Sequence, residues 1–175
     1  NSDNPDANHL NEMYSKVLIA DKYLVGIALS SDKFRYLIYR DNSSWTTTFD
    51  NNLTDSTSNW RRLNNKLEVV SEWTDITTSF PSKNNMGNIE DKLKSTKYIW
   101  NIAENPIIGS KNALSIVFNT TNGNNEKLTA GLIYNSLNIS HNFATVLKYE
   151  EPLVSVLTVN DNIVSPMITN DSSSI

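Results

Sequence analysis

Short runs of apolar and β-branched residues recur along this chain, and clusters of Asn, Asp, Ser and Pro divide them. Such clusters end strands because these side chains favour turn geometry. Most intervals between the runs are too short for the helical crossovers that parallel strands need. The pattern therefore predicts a mainly β fold, an antiparallel sandwich or propeller-like sheets with one or two short helices. The expected strands are 22–30, 34–40, 45–49, 67–73, 98–103, 113–118, 128–134, 143–149, 153–159 and 163–168.

The size of the chain fits one domain with its own core, since it has 175 residues of which 38 % are hydrophobic. We expect a loose N-terminal segment at 1–9, a single β-rich domain at 10–169 and a C-terminal tail at 170–175. Apolar runs stay well short of the roughly 18 residues that a membrane-spanning helix needs. Membrane insertion is therefore not expected.

Two segments have the features of helices. Apolar residues near the N-terminus follow helical spacing, at Leu10, Met13, Tyr14, Val17 and Leu18. Asp6 or Asn8 is the expected N-cap of this helix, and the alternative is that residues 17–19 already begin a strand. A second short helix is expected at 88–94, where Asn88 could cap a helical turn and Glu90 could pair with Lys94.

Local pattern also predicts one hairpin and one long loop. Residues 31–33 have the turn composition that joins the first two strands. Alternation along the second strand places residues 34, 36, 38 and 40 on one face and residues 35, 37 and 39 on the other. Residues 50–65 contain few large apolar side chains and are predicted to form a long surface excursion.

Several chemistries are excluded or disfavoured by composition. The chain has no cysteine, which removes disulfides, thiolate nucleophiles and thiolate metal sites. A net charge of −4 provides no basic field for nucleic acid. His9 and His141 stand far apart, and the five glycines form no phosphate-binding loop. We therefore expect no metal, cofactor or nucleic-acid partner.

Paired carboxylates are the remaining catalytic option, because glycoside hydrolysis needs only an acid and a base or nucleophile. Glu68, Glu72 and Asp75 surround Trp73. The spacing of Glu68 and Glu72 would put both on one face of a strand. A glycan-cleaving hydrolase is accordingly one alternative function, although acidic residues at such positions are commonly solvated and a non-catalytic role is favoured.

The polar composition favours binding over catalysis. The chain contains 26 Asn, 21 Ser and 15 Thr, together with four Trp, so it offers many hydrogen-bonding groups and flat aromatic faces for a sugar. Trp and Arg occur together in turn-rich sequence, and an Arg fork can bind vicinal hydroxyls or a carboxylate. The expected ligand-binding residues are Asn42, Trp45, Asn59, Trp60, Arg61 and Arg62.

These features together predict a non-catalytic recognition module of an exported or surface-displayed protein. Its expected partner is a glycan or glycoprotein, bound in the manner of a lectin or an adhesion domain. The first alternative, ahead of the glycan-cleaving hydrolase, is a structural or assembly domain of a fibre, spike or capsid. In that case the apolar strands within 153–168 would bury against other subunits and form a homo-oligomer.

Overall fold

The computed structural model describes residues 6–41, 43–51, 53, 57–76, 91–103, 113–121, 123, 125–135, 158–159 and 162–163. These residues form one long helix and ten strands. Their bounds are α1 (Ala7–Ala20), β1 (Leu24–Ser30), β2 (Arg35–Asp41), β3 (Ser44–Asp50), β4 (Thr57–Leu63), β5 (Val69–Ile76), β6 (Ile99–Ala103), β7 (Ala113–Thr121), β8 (Lys127–Asn135), β9 (Thr158–Val159) and β10 (Asn162–Ile163).

Eight of the strands form one antiparallel sheet in the order β5-β4-β3-β2-β1-β8-β7-β6. Consecutive strands pair from β1 to β5 and again from β6 to β8, and the non-local pairing of β1 with β8 joins these two meanders. A mainly β, antiparallel fold is thus confirmed. A sandwich or a propeller is not, because the described strands form a single open sheet and a separate two-stranded pair, β9 with β10.

The hairpin between β1 and β2 lies where the sequence predicts it. The backbone N–H of Ser31 donates to the carbonyl of Phe34 at 2.9 Å, and the Ser31 hydroxyl accepts from the N–H groups of Lys33 and Phe34. The predicted alternation of β2 is also confirmed. Tyr36 belongs to the core on one face of the sheet, whereas Tyr39 belongs to the core on the other.

Helix α1 packs on the first of these two faces and is capped by Asp6, whose carboxylate accepts from the N–H of Asn8. The buried side of α1 includes Leu10 and Leu18. It also includes the polar residues Asn11 and Ser15, whereas Met13 and Val17 are exposed. The apolar spacing therefore predicted the helix correctly but misplaced its buried face. The helix begins at Ala7, inside the segment expected to be loose.

The prediction of a long loop at 50–65 is wrong, because strand β4 (Thr57–Leu63) lies within this segment. Its burial alternates, with Ser58 and Trp60 buried and their neighbours exposed. Ser58 is buried in spite of its hydroxyl because that hydroxyl donates to Asp50 Oδ2 at 2.6 Å, which offsets the cost of removing it from water. A strand can therefore form here with only Trp60 and Leu63 as large buried side chains.

The second expected helix is present as a helical segment at 91–93. Its Leu93 packs with Val117 of β7 and Ile99 of β6. Glu90, the expected partner of Lys94, lies outside the described residues, so that pair stays a prediction; Lys94 Nζ contacts Asp91 Oδ1 at 2.7 Å. None of the described helices has the length and hydrophobicity of a membrane span.

The C-terminal strand predictions are tested only in part. The expected strand 143–149 lies outside the described residues. Within the spans predicted at 153–159 and 163–168, the described residues are limited to those of the short pair β9 and β10.

Candidate functional site

A cleft of about 160 Å³ opens where the start of α1 meets β3 and β4. The pairing of Thr47 with Arg61 and of Thr48 with Trp60 sets the two strands side by side at this point. Helix α1 packs on the same face of the sheet, and its Asn11 reaches Thr47 of β3. The residues lining the cleft are Ala7, Asn11, Thr47, Thr48, Phe49, Asn59 and Arg61.

Asn11 forms the most constrained part of the lining. Its side chain is only 4 % exposed, and its Oδ1 accepts from the Tyr36 hydroxyl at 2.9 Å and lies 3.0 Å from Thr47 Oγ1. Burial raises the pKa of Tyr36 far above its usual range, so this hydroxyl stays protonated and remains a donor. With Oδ1 occupied in this way, Nδ2 of Asn11 is the group left to donate to a molecule in the cleft.

Thr47 connects the helix to the sheet beneath the cleft. Its hydroxyl also lies 2.9 Å from the backbone carbonyl of Leu37, so its single proton is shared between that carbonyl and Asn11 Oδ1. The residue is 3 % exposed. Its hydroxyl therefore holds the Asn11 side chain in one orientation against β3.

Asn59 and Arg61 form the outer wall, and both are residues that the sequence predicts to bind ligand. Alternation along β4 places their side chains on the same face. Asn59 Oδ1 accepts from the Thr74 hydroxyl at 3.1 Å, which leaves its Nδ2 as a donor. Arg61 Nε contacts Glu72 Oε1 at 2.7 Å, and this contact leaves the outer nitrogens of the guanidinium for a ligand.

The two tryptophans that the sequence predicts to bind ligand, Trp45 and Trp60, do not line this cleft. Trp45 is 5 % and Trp60 is 1 % exposed, so the interpretation of these two rings as exposed sugar-binding surfaces is wrong. Both rings are covered by core side chains. Trp45 belongs to the core beneath α1, and Trp60 belongs to the core on the other face of the sheet. Asn59 and Arg61, which flank Trp60, are exposed because side chains alternate along a strand, whereas Ser44 and Thr46, which flank Trp45, are half-buried and buried.

The remaining predicted site residues do not join Asn59 and Arg61. Arg62 projects to the opposite face, where its Nη2 lies 3.9 Å from Asp41 Oδ2. Asn42 lies outside the described residues. The sequence analysis therefore identified two residues of the cleft and missed the other five, Ala7, Asn11, Thr47, Thr48 and Phe49. The sequence feature that could have identified Asn11 is its position, because it is a polar residue between Leu10 and Tyr14 on the helix face that packs against the sheet.

The acidic residues considered for catalysis are not placed together. Glu68 precedes β5 and accepts a hydrogen bond from Asn64, so Glu68 and Glu72 do not share a strand face as predicted. Glu72 and Asp75 oppose Arg61 and Ser58 in a regular ladder, and their side chains therefore project from opposite faces of β5. Among the described residues, no group of three or more His, Asp or Glu side chains could hold a metal ion.

Comparison of this chain with protein-family models, curated proteins and solved structures finds no match. The candidate function consequently rests on the geometry of the cleft.

Proposed function

We propose that this domain is a non-catalytic recognition module of an exported or surface-displayed protein and that its cleft binds one saccharide residue. The observation that carries the proposal is the buried amide of Asn11, whose oxygen is held by Tyr36 and Thr47 while its nitrogen has no acceptor among the described residues. The amide nitrogen is not among the buried side-chain atoms that lack a hydrogen-bond partner, so it reaches the cleft and can donate to a ligand acceptor there.

The chemistry of the lining favours a hydroxyl-bearing ligand. Three donors surround the cleft, the amide nitrogens of Asn11 and Asn59 and the guanidinium of Arg61. Sugar hydroxyl and ring oxygens supply matching acceptors, and the half-buried ring of Phe49 offers an apolar contact for C–H groups. Glu72 neutralises Arg61 at 2.7 Å, so the site favours a neutral saccharide over an anion.

The size of the cleft limits what can enter it. Its volume of about 160 Å³ is below the roughly 300–1,000 Å³ that is typical of sites for drug-sized ligands. A single ring therefore fits, and a longer glycan would place only its terminal residue in the cleft. We accordingly propose recognition of chain ends, and the remainder of a glycan would extend past the exposed side of Asn59.

The proposal is tested by screening the purified chain on a glycan array and titrating the best binder by calorimetry. We expect Asn59→Ala and Arg61→Ala each to weaken binding by roughly tenfold or more, because each removes a hydrogen-bond donor. Arg62→Ala is the matched control, since Arg62 is the next residue in β4, is similarly exposed and faces away from the cleft.

Absence of binding to every glycan would contradict the proposal, as would equal losses from Arg61→Ala and Arg62→Ala. Asn11→Asp is a further variant that keeps an oxygen acceptor for Tyr36 while removing the amide donor. It is expected to weaken binding while the circular dichroism spectrum of the folded chain stays unchanged.

A further inference from the structure

Strand β5 forms one edge of the eight-stranded sheet, so half of its backbone N–H and C=O groups point away from β4. Proteins commonly protect such edges with Lys, Pro or a bulge in mid-strand. β5 extends over eight residues, Val69–Ile76, and contains no Lys, Arg or Pro, although it carries Glu72 and Asp75. Its one register shift lies at the start of the strand, where Val70 has no partner in β4, and the ladder is regular from Ser71 to Ile76. Val69 and Val70 are 53 % and 63 % exposed. Among the described residues, no strand pairs with this edge of β5, so the edge can accept another strand.

An aromatic pair lies at the middle of this edge. Trp73 stacks on Trp60 with ring centroids 6.3 Å apart and an interplanar angle of 13°. Trp60 is fully buried, whereas Trp73 is 36 % exposed. The stack thus begins in the core and ends at the sheet edge with a partly uncovered indole.

Pairing of β5 with a second copy of itself is restricted by the alternation of its side chains. In an antiparallel pair around a two-fold axis perpendicular to the sheet, opposed residues share a face. The register that opposes Trp73 to its own copy also opposes Glu72 to Thr74 and Ser71 to Asp75. A shift that opposes Glu72 to its own copy would instead bring two carboxylates face to face, which is destabilising.

We propose that β5 pairs antiparallel with β5 of a second copy of this chain, with Trp73 at the two-fold axis. The sheets of the two copies then become continuous, and the stack of Trp60 on Trp73 extends across the axis to the same pair in the second copy. Ser71 faces Asp75 as a hydroxyl facing a carboxylate, and Arg61 neutralises Glu72 within each copy. None of the residues that line the saccharide cleft belongs to β5, so association can be tested without any saccharide.

Sedimentation velocity over a range of chain concentrations tests the association. We expect a monomer–dimer equilibrium whose dissociation constant rises roughly tenfold or more in Trp73→Lys, because a charge replaces an aromatic contact at the axis. Trp100→Lys is the matched control, since Trp100 is 40 % exposed on β6 at the opposite edge of the sheet. Val70→Lys, at another exposed residue of β5, is expected to weaken the dimer as well.

Cross-linking tests the register, because the natural chain has no cysteine. Opposed residues in antiparallel strands have Cα atoms about 4.5–5.5 Å apart, which suits a disulfide. Trp73→Cys is therefore expected to give a covalent dimer on mild oxidation. Ser71→Cys is not, because the two substituted residues would lie roughly 13 Å apart along the strands.

Three results would overturn the proposal. The first is a monomer at every concentration. The second is a dimer that Trp73→Lys leaves intact or that Trp100→Lys weakens equally. The third is a covalent dimer from Ser71→Cys with none from Trp73→Cys.

Discussion

Individual residues of one type have very different environments in this molecule. Trp45 and Trp60 are buried in separate cores, whereas Trp73 and Trp100 lie on the two edge strands and are partly exposed. All four have strand positions, so secondary structure does not distinguish them. What distinguishes them is whether another strand lies on both sides, which depends on the order of strands in the sheet.

Gly26 illustrates a residue whose size is fixed by its neighbour. It stands opposite Tyr39 in the pairing of β1 with β2, and an added Cβ would lie 2.5 Å from Cδ1 of that ring. Tyr39 is 2 % exposed and cannot move aside freely in a packed core. The absence of a side chain at this residue therefore lets the tyrosine ring pack over β1.

Gly26→Ala is accordingly expected to lower the free energy of unfolding by about 1–3 kcal/mol, the cost of overpacking a core. Urea denaturation followed by tryptophan fluorescence measures the change. Gly123→Ala is the control, because an added Cβ there would meet no atom within 4 Å. Equal stability of the two variants would contradict the close packing of Tyr39 on β1.

At the scale of the elements, the N-terminus of α1 was predicted with two alternative caps. The structure selects Asp6, whose Oδ1 accepts from the N–H of Asn8 at 3.1 Å. The backbone carbonyl of Asp6 also accepts from the N–H of Leu10. The side chain of Asn8 is exposed and lies inside the first turn.

Asp6→Ala is expected to lower the free energy of unfolding by about 1 kcal/mol, because it leaves a helix N–H group without its side-chain acceptor. Asn8→Ala keeps the backbone donor and is expected to stay within about 0.5 kcal/mol of the natural chain. Chemical denaturation monitored by circular dichroism compares the two. If Asn8→Ala proved the more damaging, the helix would begin later than Ala7.

Strand β4 shows why an element can be missed by sequence patterns. Thr57–Leu63 carries two adjacent arginines and only two large buried apolar residues. Its strand conformation comes from pairing with β3 and β5 on both sides. Sequence periodicity reports which side chains are apolar, but it does not report backbone hydrogen bonds to strands on either side.

At the scale of the whole molecule, each face of the central strands carries a separate core that contains a buried tyrosine. Burial raises the pKa of Tyr36 and of Tyr39 far above the usual range. In the unfolded chain a tyrosine ionises at about pH 10. The folded state therefore retains protons that the unfolded state loses as the pH rises beyond that value.

Stability is thus expected to be unaffected by these two groups below about pH 10 and to fall above it, by about 1.4 kcal/mol per pH unit for each buried tyrosine. The slope of stability against pH is obtained from urea unfolding midpoints measured between about pH 8 and about pH 11.5. Tyr36→Phe and Tyr39→Phe should each flatten it. Tyr98→Phe is the control, since Tyr98 is 57 % exposed, and an equal effect there would contradict the assignment.

Local interactions explain how much of this structure could be predicted from the sequence. The hairpin at 31–33, the alternation of β2 and the helix near Leu10 and Leu18 depend on residues within a few positions of each other, and the structure confirms all three. Asn59 and Arg61 were recognised as candidate site residues because polar and basic groups beside a tryptophan are visible in the sequence.

The sequence by itself thus determined the mainly β, antiparallel character, the capped helix and the absence of thiol chemistry, because composition and short-range spacing are sufficient for these. Only the tertiary structure decided the pairing of β1 with β8, the burial of Trp45 and Trp60, and the meeting of Asn11 with Thr47. The physical reason is that hydrogen bonds and burial between residues distant in the chain depend on how α1 and the strands pack together.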